Sequence, residues 1–285
     1  MDRRETGALL ELSVARIPLD GADALEAWVF QASDRPDRLE VSLAVDEDRA
    51  PPFAADPARG VPVSASILGF SVFDGRLERV VHSLDPARGT VLRLIACAHY
   101  HFLRPSWPGG LLPHTTDAEA AARIAIFLDL VPVVSRLDDV HAALDASGDP
   151  LVFLRRRARA VGFDLAVTAG RLYFKRELPP VDGVVRLDRT SGVVALDLAE
   201  TLLGTDGAGR RTAEVEVHGD PRLRPLVRVE LRGLGVRADG WYRVKRAVHS
   251  LGVTGPWTKA WLVEERTALP RSRWRAMETL GGECS

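Results

Sequence analysis

In two runs between residues 39 and 67 apolar and polar side chains alternate almost one for one. Leu39-Glu40-Val41-Ser42-Leu43-Ala44-Val45 does so, and Val61-Pro62-Val63-Ser64-Ala65-Ser66-Ile67 repeats the pattern. A period of two sends successive side chains to opposite faces of a sheet, so both runs predict half-buried strands. Thr90 to Tyr100 is longer and more apolar, which predicts a more deeply buried strand. The segments Phe53 to Gly60, Phe73-Asp74-Gly75 and Leu84 to Gly89 hold the Asp, Pro and Gly that tight reversals use, and predict turns between the strands. Strands at this spacing suggest an antiparallel barrel or sandwich, and residues 1–112 are assigned to a first antiparallel β-barrel.

The period changes in the middle of the chain. Thr116-Asp117-Ala118-Glu119 has the spacing of a capping box, and Ala118, Ala121, Ala122, Ala125 and Leu128 follow on one helical stripe. A second helix is predicted from Asp149 as N-cap and Pro150 in the first turn to Gly162, with Leu151, Leu154, Ala158 and Val161 on its apolar face. Arg155, Arg156, Arg157 and Arg159 fall mostly on its other faces, where a solvated surface is the ordinary outcome. Phe163 to Val167 and Leu172 to Phe174 then form a hairpin around Thr168 to Arg171. Residues 113–180 predict a small α/β module.

Strict alternation returns in Ala213 to Val217, Val227 to Leu231 and Tyr242 to Lys245, with Gly233, Gly235, Gly240 and Gly252 between and after them. Residues 181–269 predict a second barrel and 270–285 a tail. The expected fold class is mainly β with an α+β insert, two antiparallel β-barrels flanking a small α/β module.

The composition of the 285 residues excludes several functions. The net charge is −1, from 38 basic and 39 acidic residues, which argues against a dedicated nucleic-acid binder. All but three of the basic residues are arginine, a bias that fits a GC-rich genome better than a function. Two cysteines are too few for a disulfide framework. The longest apolar stretch, Ile124 to Val134, is interrupted by Asp129 and Pro132 and is about half the ~20 residues of a membrane span. A soluble protein made in the cytoplasm without an export signal is expected.

Candidate chemistry is sparse. His99 and His101 would share one face of a strand and could hold a metal ion, with His82, His114 or His249 as third ligand. Histidines at a strand end beside a loop or subunit contact are the plainer reading. The glycine-rich run Gly204 to Thr212 lacks the Lys of a phosphate-binding loop, and no nucleophile motif is present. Of six tryptophans, Trp241, Trp257, Trp261 and Trp274 crowd the last 45 residues, and aromatics are enriched at protein contacts. With Arg155, Arg156 and Arg159 they are the candidate interface residues.

Four ordered strings resemble the tail hub proteins of contractile phages and related injection systems, the late control gene D proteins and the first part of valine-glycine repeat spike proteins. Phe73 to Val80 resembles the family's F-x-G-x-V strand, and Asp149 to Phe163 its SD-x-x-FL-x-x-LA-x-x-x-G-F helix, followed by Leu172-Tyr173-Phe174 for L-x-F. His218-Gly219-Asp220-Pro221 with Val227-Arg228-Val229 is similar to G-x-P-x-L-x-x-G-x-x-V-x-V. Gly240 to Ser250, with Gly255-Pro256-Trp257-Thr258, is similar to G-x-Y-x-V-x-x-V-x-H-x-x-x-x-x-G-x-x-T.

The resemblance spans residues 10 to 265 and implies two tube-protein-like barrels per chain. Three chains would form a pseudo-sixfold ring joining a hexameric inner tube to a trimeric spike, beside other baseplate proteins and as part of a virion tail or injection particle. It implies no enzyme activity and no cofactor, and makes His249 a structural residue. The chain departs from the family in its short length, in lacking an appended oligosaccharide-binding-like spike module, and in His-Tyr-His where relatives often carry Asp. The alternatives are a hub of a non-contractile tail and a metal-dependent hydrolase using His99 and His101.

Overall fold

The computed structural model describes residues 10–19, 24–45, 60–86, 89–179, 183–201, 210–252 and 254–265. In the first part, β1 (Leu10–Val14), β2 (Ile17–Leu19), β3 (Ala24–Ala32), β4 (Arg35–Ala44), β5 (Pro62–Ile67), β6 (Phe70–Asp85) and β7 (Gly89–Cys97) pair in the order β3-β4-β7-β6-β5-β1-β2. Alternation sets the register: Leu39, Val41 and Leu43 of β4 and Val63, Ala65 and Ile67 of β5 all point into one core, which Leu10, Leu12 and Val14 of β1 close from the far side.

The last part is built the same way. Its strands are β13 (Val184–Leu187), β14 (Val193–Thr201), β15 (Arg210–His218), β16 (Arg228–Leu231), β17 (Gly240–Gly252) and β18 (Gly255–Glu264). They pair as β14-β15-β18-β17-β16-β13 around Val215, Val217, Val229, Tyr242, Val244 and Leu262. All ladders are antiparallel except β13 with β16.

Closed barrels are not formed among the described residues. Instead β17 pairs with β3, so both halves belong to one 13-stranded sheet. The edge of β3 that would have to meet β2 to close the first half is occupied by β17. The expectation of two barrels thus becomes two curled half-sheets, each with its own core, sharing a seam.

Between them lies the module. A short helix α1 (His99–Leu103) and a 3-10 turn (Arg104–Ser106) lead to β8 (Leu111–Thr116), α2 (Asp117–Phe127), β9 (Val131–Val134), β10 (Val140–Asp145), α3 (Pro150–Ala160), β11 (Asp164–Thr168) and β12 (Arg171–Lys175). The capping box forms as spelled: Thr116 Oγ1 accepts from the Glu119 amide and Glu119 accepts from the Thr116 amide. Asp149 caps α3 by accepting from the amides of Leu151 and Val152. Ile124 and Leu128 meet Leu151, Leu154 and Ala158 over Leu172 and Phe174. The β11–β12 hairpin extends to β9 by a parallel ladder, and β8 pairs with β10.

Two local expectations are corrected. Phe73-Asp74-Gly75 is no turn but lies inside β6. A Cβ on Gly75 would stand 2.3 Å from the Cys97 carbonyl oxygen, so the glycine is there for close approach to β7. The strand expected over Thr90 to Tyr100 ends at Cys97, and His99 begins α1. Most of the Phe53 to Gly60 turn, the Gly204 to Gly209 part of the glycine-rich run and the 270–285 tail lie outside the described residues. No helix among the described residues is long and apolar enough to cross a membrane.

Leu154 is fully buried in the module core. Leu154→Asp places an unpaired charge there and is expected to lower the unfolding free energy by more than about 4 kcal/mol, read by chemical denaturation. A variant with a wild-type midpoint would refute this placement of the α3 apolar face.

Candidate functional site

Strand β17 changes neighbours along one edge. Gly240–Arg243 pairs with β16 and Arg246–Leu251 with β3, and a bulge between Val244 and Arg246 marks the change. At that point the Ser33 amide donates to the Lys245 carbonyl, while the Ser33 carbonyl accepts from Val167 of the module. Arg155 of α3 reaches the Asp34 carbonyl at 2.7 Å, and Arg246 lies 3.4 Å from the Asp34 carboxylate. The Ser33-Asp34 turn therefore holds both half-sheets and the module.

Beneath the seam runs a buried polar chain. The Asp220 amide donates to Thr258 Oγ1 at 3.0 Å, and Thr258 lies 3.0 Å from His249 Nδ1. His249 Nε2 is 3.2 Å from Gln31 Oε1, and Gln31 Nε2 donates to the Val72 carbonyl at 2.8 Å. Gln31 Oε1 can only accept, so Nε2–H donates to it, and burial of the ring favours the neutral form in which Thr258 donates to Nδ1. Burial pushes the His249 pKa down to about 4. The His and Thr of the closing family-like string are thus bonded to each other, and their partner Gln31 comes from the other end of the chain.

The outer face of the same strands is mixed aromatic and charged. Register places His218, Trp257, Ser250, Trp28 and Glu40 in one cross-strand row, and Glu216, Lys259, Val248, Phe30 and Arg38 in the next. Trp28 and Phe30 are 41% and 36% exposed and stack at 6.4 Å. Lys259 lies over Trp261 at 5.6 Å and pairs with Glu216 at 3.0 Å. Trp241 is half-buried under Arg228, 4.6 Å from its ring centroid. Three of the four candidate tryptophans therefore line the outside of the second half, and Trp274 lies outside the described residues. Trp28 and Phe30 were missed because Ala24 to Ala32 is apolar on both faces and lacks the alternation that marked the other strands.

The arginines of α3 divide. Arg155 is committed to Asp34, Arg156 stands 6.0 Å from the Phe153 ring, and Arg159 is exposed. Arg157, expected on a solvated face, pairs with the buried Asp117 at the start of α2, its Nη2 donating at 2.9 Å, with His141 Nε2 3.2 Å from the same carboxylate. Burial alone would raise the Asp117 carboxyl, but hydrogen bonds from Arg157 and His141 outweigh it and hold it below the usual range.

The metal reading of His99 and His101 is corrected by α1. Two residues apart on a helix, they point in different directions rather than sharing a strand face. His99 Nδ1 accepts from Arg76 at 2.5 Å and its Nε2 is 3.7 Å from Asp129, whereas His101 sits beside Glu78 and Cys97. A cavity of about 370 Å³ where the three parts meet is lined by Gln31, Asp37, Tyr100, Asp129, Thr168 and Arg224 among others.

No protein-family model matches the sequence, and no curated protein matches it. Solved structures do share its fold. A 43 kDa tail protein of prophage MuSo2 from Shewanella oneidensis aligns at a TM-score of 0.66 and 12% identity, covering 90% of this chain and 96% of that one. A type VI secretion component of E. coli, described as structurally similar to the T4 tail proteins gp27 and gp5, aligns at 0.71 and 13%, covering 90% and 77%. A tail protein of Neisseria meningitidis aligns at 0.65 and 14%, covering 90% and 96%. At these identities the likeness establishes a common fold over 90% of this chain.

The folded pKa of His249 lies below its unfolded value of about 6.5, so its contribution to stability is complete above pH 6.5 and is lost as pH falls toward 4, by roughly 3 kcal/mol. The Asp37 carboxyl, raised to about 7 by burial, works in the opposite direction over the same range. Denaturant melts of wild type and His249→Gln between pH 7 and 4 cancel the Asp37 part, and the gap between them is expected to narrow by that amount. A gap independent of pH would overturn the neutral, desolvated imidazole.

Proposed function

We propose that the chain is a non-enzymatic structural hub subunit of a contractile phage tail or contractile injection apparatus. Three copies form a pseudo-sixfold ring between a hexameric inner tube and a trimeric spike, within a baseplate carried by the virion or particle. The observation that carries this reading is the architecture itself, two half-sheets with separate cores fused edge to edge around one seam. Three such chains supply six similar units, which is what a threefold-to-sixfold junction requires without new chemistry.

Surface features support assembly. Among the described residues β14 pairs on one side only, with β15, and Val194 and Leu198 on it are exposed. A nine-residue edge of this kind can pair with another chain. The aromatic rows around Trp28 and Trp257 add large contact groups that charged neighbours keep soluble. The hydrolase alternative loses its basis with the shared strand face of His99 and His101. The contractile reading rests on the four sequence strings.

The chain, expressed alone and together with candidate inner-tube and spike proteins, is expected to give threefold rings in negative-stain electron microscopy. A chain that stays monomeric in every combination would sink the hub reading.

A further inference from the structure

We propose that Glu78, Cys97 and His101 form a binding site for a zinc-class divalent ion that fastens α1 to the first half-sheet. Their ligand atoms all lie within 4.8 Å of one another. Each comes from a different element, and each is aimed there by a local irregularity.

Glu78 is a bulge residue. Register passes from Leu77 opposite Ala96 to Arg79 opposite Ile95, leaving Glu78 without a partner on β7. Such an extra residue re-aims its side chain, and Glu78 Oε2 stands 3.2 Å from Cys97 Sγ. Cys97 is the buried last residue of β7. The chain then turns straight into α1, which brings His101 back over the strand end.

The imidazole supplies the second, independent sign. His101 Nδ1 is buried and has no hydrogen-bond partner, an arrangement that buried polar groups rarely keep unless a ligand completes it. Tetrahedral zinc, with metal–sulfur bonds of about 2.3 Å and metal–nitrogen or metal–oxygen bonds of about 2.0 Å, wants ligand atoms about 3.3–3.6 Å apart. The Cys97 sulfur and Glu78 carboxylate stand 3.2 Å apart, slightly inside that spacing, and a His101 ring nitrogen lies within 4.8 Å of both, so small side-chain rotations bring the three to it.

The donor chemistry selects the ion. One thiolate, one imidazole and one carboxylate oxygen suit zinc or cobalt, whereas calcium and magnesium need mostly oxygen. On binding, the Cys97 thiol releases its proton to solvent, and thiolate plus carboxylate neutralise the dication. Nearby guanidinium charge is already engaged: Arg38 pairs with Glu40 at 2.8 Å, and Arg76 donates to the Gly60 carbonyl and His99. A surface cleft of about 420 Å³ lined by Cys97, His101, Phe30 and Arg38 gives access and room for a water as fourth ligand.

The test uses the full chain with Co²⁺ as spectroscopic probe and Zn²⁺ as competitor. One equivalent of Co²⁺ is expected to produce a thiolate-to-cobalt charge-transfer band that Zn²⁺ abolishes, and Zn²⁺ is expected to raise the melting temperature. Glu78→Gln and His101→Gln, both at half-buried positions and checked for fold by circular dichroism, should weaken binding at least tenfold. Cys97→Ser should remove the band, while His99→Gln and Cys284→Ser should leave it unchanged. No band in the wild type, binding indifferent to Glu78→Gln and His101→Gln, or a band that depends on Cys284 would each overturn the site.

Discussion

Pairing of β17 with β3 is the constraint on which the rest of the structure depends. Thirteen residues of extended chain run about 40 Å, long enough to serve two neighbours in succession on one edge. The bulge at Lys245 divides those duties, and the turn Ser33-Asp34 fills the gap where β16 has ended and β3 begins. Gln31 and His249 are 218 residues apart, so a large loop closes before these groups meet, and little local structure helps. Once they meet, burial of both partners makes the polar chain all or nothing, because losing one member leaves others unsatisfied. Shape complementarity alone would let the half-sheets slide. The β17–β3 ladder sets their register, and a five-membered chain of donors and acceptors reinforces it.

What was legible in the sequence was local. Alternation identified β4 and β5, and the capping box, the Asp149 N-cap and the Thr168 to Arg171 hairpin formed as spelled, since each depends on residues within four positions of one another. The illegible parts are the long-range ones. Nothing in Ala24 to Ala32 announces that its far edge binds a strand from the other end of the chain. Helix α1 carries no side-chain cap at Ala98, so a run that starts as a strand gave no sign of turning helical. Asp-Gly is a reversal signal, yet at Gly75 the missing side chain serves the Cys97 carbonyl instead. Gly219, in the third of the four strings, has the same use, since a Cβ there would stand 2.6 Å from Pro256 Cβ.

The arginine-rich α3 illustrates how composition misleads. A row of arginines on an amphipathic helix predicts a solvated face, and Arg159 obeys. Arg157 and Arg155 do structural work instead, one bridging α3 to the first turn of α2 through Asp117 and the other tying α3 to the Asp34 carbonyl. Asp117 sits where the α2 dipole already favours negative charge, so two independent effects keep that carboxylate ionised inside the module. Arginine suits both places because its planar fork makes several directed hydrogen bonds while its charge stays fixed.

Contacts at the seam decide how freely the module moves. Were it joined to the half-sheets only through its chain ends, it would swing on the segments around Ala98 and Leu178. Instead Val167 donates to Ser33, Arg155 to Asp34, and Arg243 to the Leu178 carbonyl at 2.5 Å, all close to the seam. Tension or displacement applied to the module therefore arrives at the one turn that also holds β17 against β3. A load on any of the three parts is then shared by the other two rather than absorbed by a hinge.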